Sequence, residues 1–252
     1  MGLALLLGFL YSLRAQENIR HLSVSPEMYL EKIYRLATLA EFLEGKGEER
    51  RGREFYRRAR ENLKKLLSLW KDRENLPYLY LALVKIDIKE GEWEEVEELL
   101  KKIQSLPLPA SLEPLFYFYR GELRERAKDY EGAIGEYSRS LEKADTLKER
   151  DLENILSILT QSPRKRKSSL ILQSLAGGYS SSEIQFRIVR CYWKMGNMGK
   201  AREAYQVLRE KYPSLVWIKK GKELIYPEEM ETRSPLRGSS GEENAEIIHE
   251  GD

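Results

Sequence analysis

The 252-residue chain has one cysteine, Cys191, and two histidines, His21 and His249. A single cysteine excludes an internal disulfide and any cysteine-rich metal site. The histidines stand near opposite ends of the sequence, away from its helical body, so hydrolytic triads and histidine zinc sites lack their usual parts. No glycine-rich phosphate loop, metal motif or nucleophile motif is present. Cys191 falls in a helical stretch beside Tyr192, the setting of a packed thiol. Carboxylate-pair chemistry is not excluded in this way, because glutamates occur throughout, most of them as solvated surface groups. The expectation is a chain that is not an enzyme and needs no cofactor and no metal.

Proline (9) and glycine (17) are too scarce for a collagen-like or disordered chain. The apolar run Leu3 to Leu13 falls short of the roughly 20 residues that cross a bilayer. Its length suits the core of a secretory signal, with Ala15 before a cleavage point, so residues 1–15 are expected to be a signal segment. Against this, no Lys or Arg precedes the run. A buried apolar helix or a membrane-surface anchor therefore stays open, and membrane contact is expected only there. Export to a periplasm is the expected location, with the cytoplasm as the alternative. The net charge of +2 is uneven. From Pro227 onward eight acidic residues face only Arg233 and Arg237, so 227–252 reads as a disordered acidic tail and the remainder as mildly basic.

Apolar residues recur three and four apart, the pattern of amphipathic helices, and Gly, Asn, Asp or Pro interrupt them at regular intervals. The clearest unit starts at Glu183: EIQFRIVRCYWKMGNMGKAREAYQVLREKYPSL. One helix ends near Lys194, Gly196-Asn197 makes a turn, and a second helix carries Ala201, Tyr205 and Leu208 before Pro213. Upstream, Gly121, Asp129-Tyr130, Ala133, Tyr137 and Ser140 repeat the layout. Val84, Gly91, Trp93, Val96, Leu100 and Ile103 do so again, and before them Ala40, Gly47, Gly52, Tyr56 and Ala59.

This pattern resembles the tetratricopeptide repeat (TPR), a pair of antiparallel helices with small and large residues at fixed places. The small residues Ala40, Gly52, Gly121, Ala133 and Ala201 let helices approach, and Tyr56, Tyr137 and Tyr205 fill the space beside them. The resemblance implies an all-α fold, a right-handed superhelical solenoid of about five TPR-like pairs over 26–226. Units are expected near 33–76, 77–113, 114–148 and 182–215, with a closing helix over 215–226. The last two starts lie two repeat lengths apart, which predicts another unit over 149–181. Its first helix would hold Leu152, Ile155, Leu156 and Leu159, and its second Ser168, Leu172 and Leu175.

In this family the first helix of each unit lines a concave groove. The carry-over places Tyr34 and Glu41 from unit one and Tyr78, Leu81, Lys85 and Lys89 from unit two there. Unit three contributes Phe118, Tyr119, Glu122 and Arg126, unit four Ser157, and unit five Phe186, Arg190, Trp193 and Lys194. Rings beside cations suit an extended peptide with acidic groups. Ala37, Glu41, Leu81, Lys85, Phe118 and Glu122 occupy the places of the family's Lys/Asn carboxylate clamp, so that clamp is absent. The run Arg164 to Lys167 reads as a solvated turn entering a helix. The arginines from Arg50 to Arg60 alternate with glutamates, the pattern of an ion-paired helix face. Nucleic-acid binding wants a stronger net charge and interleaved rings, so the expected partner is another protein or peptide. The run AREAYQVLREKYP is similar to repeats of envelope-associated bacterial members. A binding scaffold in a bacterial envelope is therefore expected, with a cytoplasmic adaptor or an accessory subunit of an enzyme system as alternatives.

Overall fold

The computed structural model describes residues 25–70, 73–148 and 162–227, and every regular element among them is a helix. Residues 1–15, both histidines, Ser157 with the rest of 149–161, and the tail beyond Pro227 lie outside the described residues. The first pair is α1 (Pro26–Gly45) and α2 (Glu49–Leu69), and the second is α3 (Leu76–Glu90) and α4 (Trp93–Gln104). The third is α5 (Glu113–Arg126) and α6 (Tyr130–Lys148). Helix α7 (Pro163–Ala176) precedes the last pair, α8 (Ser181–Lys194) and α9 (Met198–Glu210), and α10 (Leu215–Ile225) is the last helix among the described residues. The architecture is an all-α, TPR-like helical repeat solenoid. No helix among the described residues is long and apolar enough to cross a membrane.

Local sequence sets the helix ends. Helices α1, α3, α5 and α7 each carry a proline in the first turn, where its missing N–H leaves no bond unmade. The Ser180 side chain caps α8 by accepting from the Glu183 N–H at 3.1 Å. All four pairs turn in the same way. Glu48, Glu92, Asp129 and Asn197 each donate a backbone N–H to the carbonyl five residues back, at 2.9–3.0 Å. The residue just before each of them has a positive φ: Gly47, Gly91, Lys128 and Gly196.

Second helices bury one stripe each, as Tyr56, Ala59, Leu63 and Leu66 do on α2. The small residues lie where the repeat pattern requires. Ala40, Ala133 and Ala201 are fully buried. A Cβ built on Gly121 would stand 2.5 Å from the Tyr137 ring, and one on Gly52 3.1 Å from the Ala40 carbonyl. Arg51, Arg57, Arg58 and Arg60 of α2 are ion-paired, Arg58 with Glu54 at 3.1 Å and Arg60 with the fully buried Asp87 of α3 at 2.5 Å.

Of the expected unit over 149–181, the described part, α7, does not stand between α6 and α8. Helix α8 packs directly on α6, as α3 packs on α2, and Lys211 reaches Asp145 at 2.9 Å to tie the ends of α9 and α6. Helix α7 lies instead against α1 and α3. Its Leu172 and Leu175 are buried in the core of the first two pairs, and Ala176 in that of the third and last. The periodic apolar residues of 163–176 were enough to predict a helix, but they fit a first-helix face as well as a neighbouring repeat. The described part of the insert between α6 and α8 thus lies beside the stack and not within it.

Replacing Gly121 by leucine should force Tyr137 aside and cost about 1–3 kcal/mol, measured by chemical denaturation. Unchanged stability would mean that α5 and α6 do not approach as closely as described.

Candidate functional site

The first helices carry a repeated arrangement of charge. Glu41 and Glu44 of α1 receive Lys85 at 2.6 Å and Lys89 at 2.8 Å from α3. At the corresponding places of α5, Glu122 receives Arg187 at 2.8 Å, and Glu125 receives Arg190 at 2.8 Å and Lys194 at 3.0 Å from α8. The second-helix tyrosines join in: Tyr137 donates to Glu125 at 3.0 Å and Tyr56 to Glu44 at 3.4 Å. Four of the expected groove cations, Lys85, Lys89, Arg190 and Lys194, are therefore engaged in joining one first helix to the next. Burial pushes the Glu125 carboxyl up, but hydrogen bonds from Arg190 and Lys194 outweigh it, and its pKa lies below the ordinary value. Glu122, with fewer partners, is held above its ordinary value by burial.

Several expected contact residues are core instead. Leu81, Phe118 and Tyr119 are fully buried, Phe186 is 8% exposed, and Glu122 is buried. The insert is the cause for α5. The Tyr179 ring stacks on Phe118 with centroids 3.6 Å apart, and Tyr119 donates its hydroxyl proton to the Ala176 carbonyl at 2.8 Å. Gly177, at φ 98°, lets the chain pass over Tyr119 and Lys85, where a Cβ would meet Tyr119 Oη at 3.1 Å and Lys85 Cδ at 3.3 Å. Phe186 is covered from the other side by Trp217 of α10, at 5.1 Å. Cys191 is fully buried, and burial pushes its thiol up to about 12, well away from a nucleophile.

The remaining groove residues keep accessible surface. Tyr78 is half-buried, its hydroxyl 3.2 Å from Ser111 Oγ. Tyr34 lines an open, largely apolar cleft between α1 and α7 with Leu170 and Ile171. Trp193 is 42% exposed on the last turn of α8, one of the larger apolar surfaces in the last pair. It occupies the place that Glu44 and Glu125 hold in α1 and α5. Tyr205, without a carboxylate there, turns to the Ile218 carbonyl of α10 at 3.2 Å.

An open recess of about 280 Å³ lies between α5 and α8, and its lining includes Lys194, the residue after Trp193. Of the expected groove residues it brings together Glu122, Arg126, Arg190 and Lys194. It adds Trp93, Lys128, Tyr130 and Arg187, which the groove assignment missed. Arg126 lies over the Trp93 ring at 5.8 Å and Lys194 over Tyr130 at 5.5 Å. Comparison of the four turns would have flagged Lys128, because the other three have glycine there.

Residues 183–214 match the family model of the tetratricopeptide repeat, which relates the chain to that family. No curated protein matches the chain in sequence.

Replacing Glu125 by alanine would leave Arg190 and Lys194 of α8 without their buried counter-charge, a loss of about 3–5 kcal/mol. The intact protein holds this contribution above the ordinary carboxylate pKa and loses it as pH falls through the depressed value. Denaturation curves between neutral and acidic pH check both: the variant should lose less on acidification. Equal acid sensitivity in the two proteins would contradict the assigned role.

Proposed function

We propose that the chain is a non-catalytic scaffold that holds a segment of another protein, as TPR-type helical repeats generally do. The segment docks where the first-helix face stays open, on the α5–α8 side beside the insert. The observation that carries this reading is Trp193. A large ring stands 42% exposed at the position where the first and third pairs use a carboxylate, Glu44 and Glu125, to close the stack. Exposed aromatic residues beside cations are the common anchors of protein interfaces. The groove residues nearer α1 and α3, Tyr78, Lys85 and Lys89, form the flank of the same surface. The packed, unreactive Cys191 favours a binding role over a catalytic one.

The proposed setting is a bacterial cell envelope. The apolar run near the N-terminus and the likeness of AREAYQVLREKYP to envelope-associated repeats support it. A cytoplasmic adaptor of the same fold is the second reading, favoured by the absence of a basic residue before that run. Intact mass of the protein purified from its native host separates the two, since export removes about 15 residues.

Crosslinking and capture from the native host tests the binding role. Trp193→Ala should weaken capture of the partner by about 1–3 kcal/mol while melting stays unchanged, because the side chain is not core. Undiminished capture by a folded variant would sink the reading.

A further inference from the structure

The recess between α5 and α8 differs from the rest of the first-helix face in its charge. Its cations outnumber its carboxylates, five to two. Arg187, Arg190 and Lys194 are used on Glu122 and Glu125, whereas Arg126 and Lys128 make no ion pair among the described residues. Two further polar atoms of its lining, Arg190 Nε and Glu122 Oε2, are buried with no hydrogen-bond partner among the described residues.

Lys128 supplies the independent observation. It is the only non-glycine residue with a positive φ among the described residues, at 62°. The same turn position holds Gly47, Gly91 and Gly196 in the other three pairs. A side chain in the left-handed region is strained, and such strain persists mostly where a side chain is needed. Here the side chain lines the recess together with Arg126.

We infer that this recess receives an acidic segment of a partner protein, with Arg126 and Lys128 pairing its carboxylates. The inference rests on the scaffold reading and gives it a ligand chemistry. A nucleic acid fits less well. The cations of the recess form one compact group and no track, and Arg126 and Lys194 already lie over the Trp93 and Tyr130 rings.

Fluorescence anisotropy of the full chain with a labelled glutamate-rich peptide tests this, with the glutamine version and a single-stranded oligonucleotide as controls. The acidic peptide should bind, weaken steeply with salt, and outcompete both controls. Lys128→Gly should reduce affinity roughly threefold, and Lys128→Gly with Arg126→Ser about tenfold. The decisive feature is sign. Lys128→Gly relieves the turn, so melting should stay level or rise by about 2–4 °C while binding falls. Equal binding by Lys128→Gly, a fall in its melting temperature, equal binding of the glutamine peptide, or preference for the oligonucleotide would each overturn the inference. If the native partner is still captured in that event, the scaffold reading survives; loss of both removes the scaffold reading as well.

Discussion

Close approach of helices, made possible by residues with little or no side chain, governs the rest of this structure. The Tyr137 ring lies where any side chain on Gly121 would stand, and the Tyr205 ring meets the backbone of Gly221 on α10 in the same way. Each ring is buried, so its hydroxyl must find an acceptor. Glu44 and Glu125 supply it in the first and third pairs, the Ile218 carbonyl in the last. A carboxylate buried for that purpose needs counter-charge, and the next first helix provides it through Lys89, Arg190 and Lys194. Packing of one helix pair thus determines where the charges of the next one go. That sequence of demands explains why cations facing along the groove are largely committed within the chain.

The insert adds a second constraint. Helix α7 and the residues up to Tyr179 cover the first helices with ordinary core contacts: Leu172 and Leu175 among the first two pairs, Tyr179 on Phe118. Its ends are tied by polar contacts, Lys167 to Glu31 at 2.6 Å and the Ala176 carbonyl to Tyr119. In a solenoid each pair touches only its neighbours. The insert departs from this rule by linking α1 and α3 to α5, and it confines the open part of the surface to the side of α8.

Much of the fold was legible because the repeat pattern is local. Small residues such as Ala40, Ala133 and Ala201, the tyrosines that fill beside them, and the turn glycines all recur within a pair, and short-range spacing reveals them. The destination of α7 was not legible. A spacing of two repeat lengths between the third and last units mimics a hidden unit, and the apolar spacing of Leu172 and Leu175 specifies a helix but not its neighbour. The groove assignment failed in part for the same reason. Phe118 looks like an exposed ring until Tyr179 is brought onto it, and Arg190 looks free until Glu125 of another pair is opposite. Lys128 is the reverse case: its strain follows from aligning the four turns, yet residue type alone marks it as an ordinary surface lysine.

Helix α7 lies on the first-helix face, and the last pair stacks straight onto the third. Zero-length carbodiimide crosslinking of the intact chain, read by mass spectrometry, tests both parts together. The geometry requires amide links between Glu31 and Lys167, 2.6 Å apart, and between Asp145 and Lys211, 2.9 Å apart. Both links at high yield in the monomer are the expected result. Absence of both, with residues of α7 joined instead to α6 and α9, would place the insert within the stack and contradict the account.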